Sequence, residues 1–301
     1  MQKHFRADKI MKKVVLLFLL FIALLSPSIA ENRALLIGIG QYAKETGWKK
    51  IHGDSDVELL KPLLEKEGFI VSTLVNSEAT KQAILNSLAE LRDSCKIGDK
   101  VYFHFSGHGQ PVIDKNYDEN DGIDEAMIPN DAWKYFTRGE YEGENHLIDD
   151  EYNLFLVEIK EKIGKEGIMF VVIDACHSRD MERGDEGDIT DNDILKSARG
   201  TDDCFEFESV VYSNLLAEKP LPKSLNKGAK LVVVSACKED ERNFEYKTAN
   251  NKMYGSLSYC IAQLLNDNCD FNKWETFFQE EKYRNLKIFQ SSQHPSVTVY
   301  P

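Results

Sequence analysis

The chain predicts an α/β fold, a mostly parallel sheet covered by helices, and three observations predict it. Short apolar runs alternate with segments of helical spacing from residue 31 onward. The composition is globular, with 42% hydrophobic and 29% charged residues over 301 positions, which excludes a disordered or collagen-like chain. Neither an internal repeat nor a low-complexity linker divides it, so residues 31–301 read as one domain.

Arg33–Ile39 (RALLIGI) is the first expected strand, since an unbroken apolar run suits a strand buried on both faces. Asp54–Glu67 follows as a helix: Val57, Leu59, Leu60, Leu63 and Leu64 share one side, and Gly68 stops it. Phe69–Leu74 is a second strand, and Thr80–Cys95 a second helix through Ile84, Leu88 and Leu91. Lys100–Ser106 (KVYFHFS), Ile168–Asp174 (IMFVVID) and Lys230–Ala236 (KLVVVSA) continue the sheet, with a helix at Asp149–Lys162 between the first two. Tyr254–Leu265 and Asn272–Glu281 read as helices, and Ser296–Tyr300 (SVTVY) as an edge strand behind Pro295. Two stretches break the rhythm. Residues 110–146 are polar, Gly-rich and acidic, and residues 177–229 lack apolar periodicity far beyond the usual loop length of about 4–6 residues, as functional loops do.

Residues 1–30 read as a signal peptide. Lys12 and Lys13 precede the apolar run Val14–Leu25, and Ser26 to Ala30 give a small-residue exit with cleavage after Ala30; Met11 is a second candidate start. The run falls short of the roughly 20 residues of a spanning helix, so no stable membrane insertion is expected once it is removed, an uncleaved membrane anchor being the alternative. Export to a periplasm or the extracellular medium follows. Net charge is −13 for the whole sequence and −17 without residues 1–30, which argues against nucleic acid and anionic membranes as partners and favours a cationic ligand. The six cysteines contain no CxxC pair and fit neither a disulfide scaffold nor a zinc site, so most are expected to be packed apolar residues.

Cys176 is different. In a parallel α/β sheet, reactive groups gather beyond the carboxyl ends of the strands. Two such ends carry chemistry: Ser106, Gly107, His108, Gly109 and Asp174, Ala175, Cys176, His177, Ser178. A histidine and a cysteine on neighbouring strand ends suit a thiol nucleophile and its base. Gly107 and Gly109 let a substrate chain lie close to the imidazole, and the N–H groups of Gly109 and Cys176 are candidates to face a developing oxyanion. His104 lies within a strand and reads as a core histidine rather than a metal ligand. His177 adjoins Cys176, so the two side chains should diverge and His177 is a poor base.

These residues resemble a family. SGHG (Ser106–Gly109) and DACHS (Asp174–Ser178) are similar to the His and Cys blocks of the caspase-like cysteine peptidases, nearest to the metacaspases and their bacterial relatives. LLIGIGQY (Leu35–Tyr42), GDSDVELL (Gly53–Leu60), DENDGIDEAMIPND (Asp118–Asp131), LIDDE (Leu147–Glu151), VSACKED (Val234–Asp240) and Tyr254–Ile261 extend the resemblance over nearly all of residues 31–301. It implies a caspase–haemoglobinase fold, a six-stranded, mostly parallel sheet in a three-layer α/β/α arrangement. It further implies peptide hydrolysis with His108 as general base and Cys176 as nucleophile, no cofactor for the chemistry, a monomer, and peptide or protein substrates with Arg or Lys before the scissile bond. Asp174 and the pocket acid Asp56, joined by Ser106, are then expected to face one cationic side chain, as a buried guanidinium requires. Asp56 reads equally well as a helix N-terminal charge.

The family's maturation cleavages fall in the segment corresponding to 177–229, which holds Arg179, Arg183, Lys196, Arg199, Lys219, Lys223 and Lys227, so self-processing is expected there, an ordinary charged surface loop being the alternative. Arg179 stands where the family often has Gly. Some metacaspases have a calcium site near the LIDDE block, and Asp121, Asp124, Asp149 and Asp150 offer hard oxygen ligands for one; a solvated acidic loop and helix caps account for the same residues. Two competing readings stand beside the peptidase: an inactive caspase-like binding or scaffold module, and an Arg-specific peptidase of the clostripain or gingipain type.

Overall fold

Unbroken apolar runs become the central strands, because only a sheet covered on both faces can bury every side chain of such a run. The computed structural model describes residues 30–114, 122–176, 198–201, 203–207, 227–238, 241–267 and 287–301. The expected signal peptide, His177, most of 177–229 and the helix expected at Asn272–Glu281 lie outside the described residues. Six strands form the main sheet: β1 (Asn32–Gly38), β2 (Phe69–Val75), β3 (Lys100–Ser106), β7 (Ile168–Asp174), β8 (Lys230–Ser235) and β11 (Ser296–Tyr300), in the order β11-β8-β7-β3-β1-β2. All pairs are parallel except β11 with β8.

Strand periodicity sorts the core into two faces. Ala34, Leu36, Tyr102, Phe170, Val172, Val232 and Val234 point to one side, where α1 (Gly53–Lys66) and α4 (Ser256–Asn266) bring Val57, Leu60, Leu64, Leu257 and Ile261. Leu35, Ile37, Phe103, Phe105, Val171 and Ile173 point to the other, against Ile84 and Leu88 of α2 (Lys81–Ser94) and Leu156 and Ile159 of α3 (Asp149–Ile163). The result is the expected three-layer α/β/α arrangement. Thr80 does not belong to α2 but caps it, its side chain accepting from Ala83 N at 3.3 Å. No described helix is long and apolar enough to cross a membrane.

Two regions differ from the sequence expectation. The stretch 110–146, expected as an irregular loop, supplies most of an antiparallel sheet of β4 (Gly109–Ile113) and β5 (Ile123–Met127), which β6 (Leu147–Ile148) completes just beyond it. Its strands are short, one holds Pro111 and another Asp124 and Glu125, so they lack the alternation that marks a strand. The helix expected from Tyr254 begins at Ser256 instead, because Met253–Gly255 (β10) pairs with Glu245–Lys247 (β9).

Candidate active site

Register brings the site together before any side chain is considered. Ser106 on β3 sits opposite Gly38 on β1 and Asp174 on β7, so three strands end at one level. By alternation Ser106 and Asp174 point to the face covered by α1, whose first turn supplies Asp56. All three side chains are fully buried. Such burial is tolerable only with an opposite charge in place, and Arg199 provides it.

Arg199 belongs to the segment 198–207 and is itself fully buried. Its Nη2 contacts Asp56 Oδ2 at 2.8 Å and Glu245 Oε1 at 3.1 Å; its Nη1 donates to Ser106 Oγ at 2.5 Å and lies 3.6 Å from Asp174 Oδ1. Asp174 is further fixed by Asn243 Nδ2 at 2.7 Å and by the Ser258 hydroxyl at 2.6 Å, and Asp56 by the Gly255 N–H at 2.9 Å. Gly255 has to be glycine, since a Cβ there would fall 2.1 Å from Asp174 Oδ2. Burial pushes the Asp56 carboxyl up to about 6, the Arg199 charge holding it below what burial alone would give. Burial also opposes ionisation of Glu245, yet the hydrogen bond from His52 and the Arg199 charge hold it below the ordinary carboxylate range.

Each guanidinium nitrogen of the fork meets different acceptors, an arrangement that a single ammonium cannot reproduce. The Arg199 guanidinium therefore fits this pocket in shape as well as in charge. One atom is left over: Arg199 Nε is buried without an acceptor among the described residues.

The main chain of Arg199 is held as firmly as its side chain. Its carbonyl oxygen accepts from Cys176 N at 2.9 Å and from Gly109 N at 3.2 Å, and its N–H donates to Asn243 O at 3.0 Å. Two converging amides on one carbonyl oxygen are the geometry of an oxyanion hole. Gly200 follows, bridged in parallel to Gly109.

His108 stands between the end of β3 and the start of β4. Its Nε2 is 2.8 Å from Lys49 O, and since a carbonyl only accepts, Nε2 carries the proton and Nδ1 holds the free lone pair. Nδ1 is buried and has no hydrogen-bond partner among the described residues. The ring stacks on Trp48 with centroids 4.8 Å apart, and the His108 N–H donates to Tyr42 Oη at 3.0 Å. Burial lowers the imidazole to about 4, so it is neutral near pH 7. The Cys176 thiol is buried and donates weakly to Glu241 O at 3.5 Å. Cys237, at the end of β8, shares a hydrogen bond with the Cys176 thiol, which together with burial pushes Cys237 well above the ordinary thiol range.

The structure thus assembles His108, Cys176, Gly109, Asp56, Ser106 and Asp174 at one place. Sequence reasoning missed Glu245, Asn243, Tyr42 and Trp48 as members of the site and took Cys237 for packing. Asp124 is buried on β5 and Asp149 and Asp150 open α3, but among the described residues no three His, Cys, Asp or Glu side chains are grouped as a metal ion requires. Asp121, the fourth residue of the expected calcium site, lies outside the described residues. His104 is fully buried, its ring nitrogens 3.1 Å from Tyr102 Oη and 3.0 Å from Ser258 Oγ.

A pH dependence of stability follows. Burial lowers His104 to about 4, His108 to about 4 and His146 to about 3. Unfolding returns each to about 6.5, so the unfolded chain binds more protons as pH falls below that value. Asp56, raised to about 6, and the raised Asp131 and His52 act in the opposite sense, while the lowered carboxyls of Glu245, Glu241, Asp203 and Asp93 act with the three imidazoles. The melting temperature should fall steadily between pH 7 and 4.5; a flat or rising profile in that window would contradict the buried neutral imidazoles.

The chain matches the caspase domain family over residues 31–299. It is 29% identical over 251 residues to Metacaspase-1 of Plasmodium falciparum (isolate 3D7), covering 79% of this chain and 35% of that protein. With Metacaspase-3 of Arabidopsis thaliana it shares 27% over 253 residues, 78% of this chain and 59% of the relative. It therefore spans between about a third and three fifths of the length of these relatives. Among solved structures it resembles protein GSU0716 from Geobacter sulfurreducens, with a TM-score of 0.61 and 18% identity over 90% of this chain and 93% of that one. Caspase-1 from Spodoptera frugiperda follows at 0.50 and 12%, over 90% and 89%.

Proposed function

This chain belongs to the caspase domain family of cysteine peptidases, and from that premise we propose that it is an exported endopeptidase that cuts after arginine with Cys176 and His108, its first substrate being its own bond between Arg199 and Gly200. The single observation that carries the reading is Arg199: its guanidinium fills the acidic pocket while its carbonyl oxygen lies between the Cys176 and Gly109 amides. That is how a substrate would present its scissile carbonyl. Preference for Arg over Lys is supported by the three separate contacts of Nη1 and Nη2 at hydrogen-bond distance, each charged hydrogen bond being worth about 1.5–3 kcal/mol. Export is supported by the signal-peptide pattern of residues 1–30, and a mature chain beginning at Glu31 is its test.

The chemistry runs on this chain's own groups. The Cys176 thiol gives up its weak bond to Glu241 O and its proton passes to His108 Nδ1. The sulfur attacks the Arg199 carbonyl carbon, and the negative charge on oxygen is taken by the N–H groups of Cys176 and Gly109. His108 returns the proton to the Gly200 nitrogen, the C–N bond breaks, and Arg199 remains as a thioester on Cys176. Water, deprotonated by His108, then hydrolyses the thioester and frees the thiol.

Wild-type protein held at neutral pH is expected to yield a fragment whose N-terminal sequence is Gly200, Thr201, Asp202, Asp203. Mass spectrometry and terminal sequencing check this. A protein that hydrolyses arginine peptides yet never acquires that terminus would overturn self-cleavage, and one that prefers lysine peptides would overturn the assignment of the pocket.

A further inference from the structure

The segment holding Arg199 is gripped a second time, downstream. Phe205 forms a parallel bridge with Val112 on the free edge of β4: its N–H donates to Pro111 O at 2.8 Å and its carbonyl accepts from Ile113 N at 2.9 Å. Its ring is 3% exposed, 4.2 Å from the His146 imidazole and 5.1 Å from the Phe207 ring. Phe207 is 2% exposed and packs over Gly143, where a Cβ would fall 2.2 Å from the ring. Both rings belong to a buried apolar cluster with Val112, Ala126, Tyr141 and Ile148, while Asp203, Cys204 and Glu206 beside them are exposed. Only alternate side chains are read, as along any added strand.

Gly200 supplies a second restriction. A Cβ there would meet Cys176 O at 2.4 Å and Cys176 Cβ and Gly109 O at 2.9 Å. These are backbone and near-backbone atoms of the catalytic strand ends, so the residue after the cleaved arginine must be glycine in this pose. Within 177–229 glycine follows Arg183, Arg199 and Lys227 alone among the basic residues. Counting from Arg183 as Phe205 and Phe207 count from Arg199, Ile189 and Asp191 take their places, and nothing aromatic follows Lys227 at those positions: Val233 and Ser235 stand there.

We propose that Phe205 and Phe207 are positioning residues for self-cleavage, an anchor on the primed side that selects the bond between Arg199 and Gly200 from the other basic sites of 177–229. The inference rests on the reading of that bond as the one cut. Anchoring the chain six residues beyond Arg199 converts a search by a long loop into a local docking event and raises the effective concentration of the scissile bond. Short arginine peptides have no residue to place in the cleft and gain nothing from it.

In Phe205→Ala, the first-order rate of appearance of the Gly200 terminus should fall by about 10-fold or more, while hydrolysis of a short fluorogenic arginine peptide does not fall below that of the uncut wild type. Phe207→Ala, which empties the space over Gly143 instead, is the second variant with the same two measurements. In any variant that keeps peptide hydrolysis, self-cleavage at the wild-type rate overturns the anchor. Peptide hydrolysis below that of the uncut wild type in both variants overturns it too, since the rings would then be supporting the catalytic groups rather than presenting the bond. Absence of the Gly200 terminus from the wild type itself is the distinct result that defeats the underlying reading.

Discussion

Cys176→Ala should lose all measurable hydrolysis of arginine peptides, a drop of at least about 10³-fold, and should remain uncut at Arg199. Water activated by His108 Nδ1 is a far poorer nucleophile toward an amide than the thiolate, and the Cys237 thiol, pushed well above the ordinary range, stays protonated. The fold should survive, because removing one buried Sγ costs about 1 kcal/mol in an interior where whole side chains cost several times more. A melting temperature lowered by no more than about 2–4 °C, with no turnover, is the expected pair of measurements, and residual turnover at even a hundredth of the wild-type rate would remove Cys176 from the mechanism. The variant has a further property. With the bond intact, Arg199 stays in the pocket, so Cys176→Ala should bind arginine mimics poorly, and weak binding by that variant says nothing against the pocket.

Much of the fold was legible because a sheet buried on both faces leaves continuous apolar runs, as in Ile168–Asp174 and Lys230–Ser235, and its covering helices leave one-sided spacing. β4 and β5 were not legible, since a proline and two acidic residues in short strands look like loop and only pairing across the chain makes them strands. Of the site, the residues at the strand ends were readable because topology alone places them together. Glu245 was not: its position depends on two hydrogen bonds from His52, at 2.7 and 2.8 Å, across a sequence separation no local pattern spans. Arg199 was one of seven basic residues in 177–229, with nothing in its own neighbourhood to single it out. What distinguishes it is tertiary, a glycine where the catalytic backbone leaves no room and two phenylalanines where β4 leaves a free edge.

Asp56→Asn should lower kcat/KM for arginine peptides by about 150- to 4,000-fold, the equivalent of the 3–5 kcal/mol lost when one partner of a buried ion pair is removed. The amide keeps the shape of the carboxyl but cannot keep its bonds. Asp56 accepts on both oxygens, from Ser106 Oγ at 2.6 Å and Arg199 Nη2 at 2.8 Å on one and from the Gly255 N–H at 2.9 Å on the other. An asparagine must turn its NH₂ toward one of these donors, leaving two donors facing each other in a dry pocket. Glu245→Gln should cost less, about 10-fold, because its contact with the guanidinium is longer and shared with His52. The pH dependence separates charge from shape. With a carboxyl raised to about 6 even while Arg199 sits beside it, the wild-type enzyme should bind arginine peptides more weakly as pH falls through that value, since protonation removes the charge the guanidinium needs. KM in the wild type should therefore rise on acidification toward pH 5, and Asp56→Asn, already neutral, should lack that rise. A variant within 10-fold of wild type, or one that keeps the acid-side rise in KM, would show that Asp56 caps its helix and does not read the substrate.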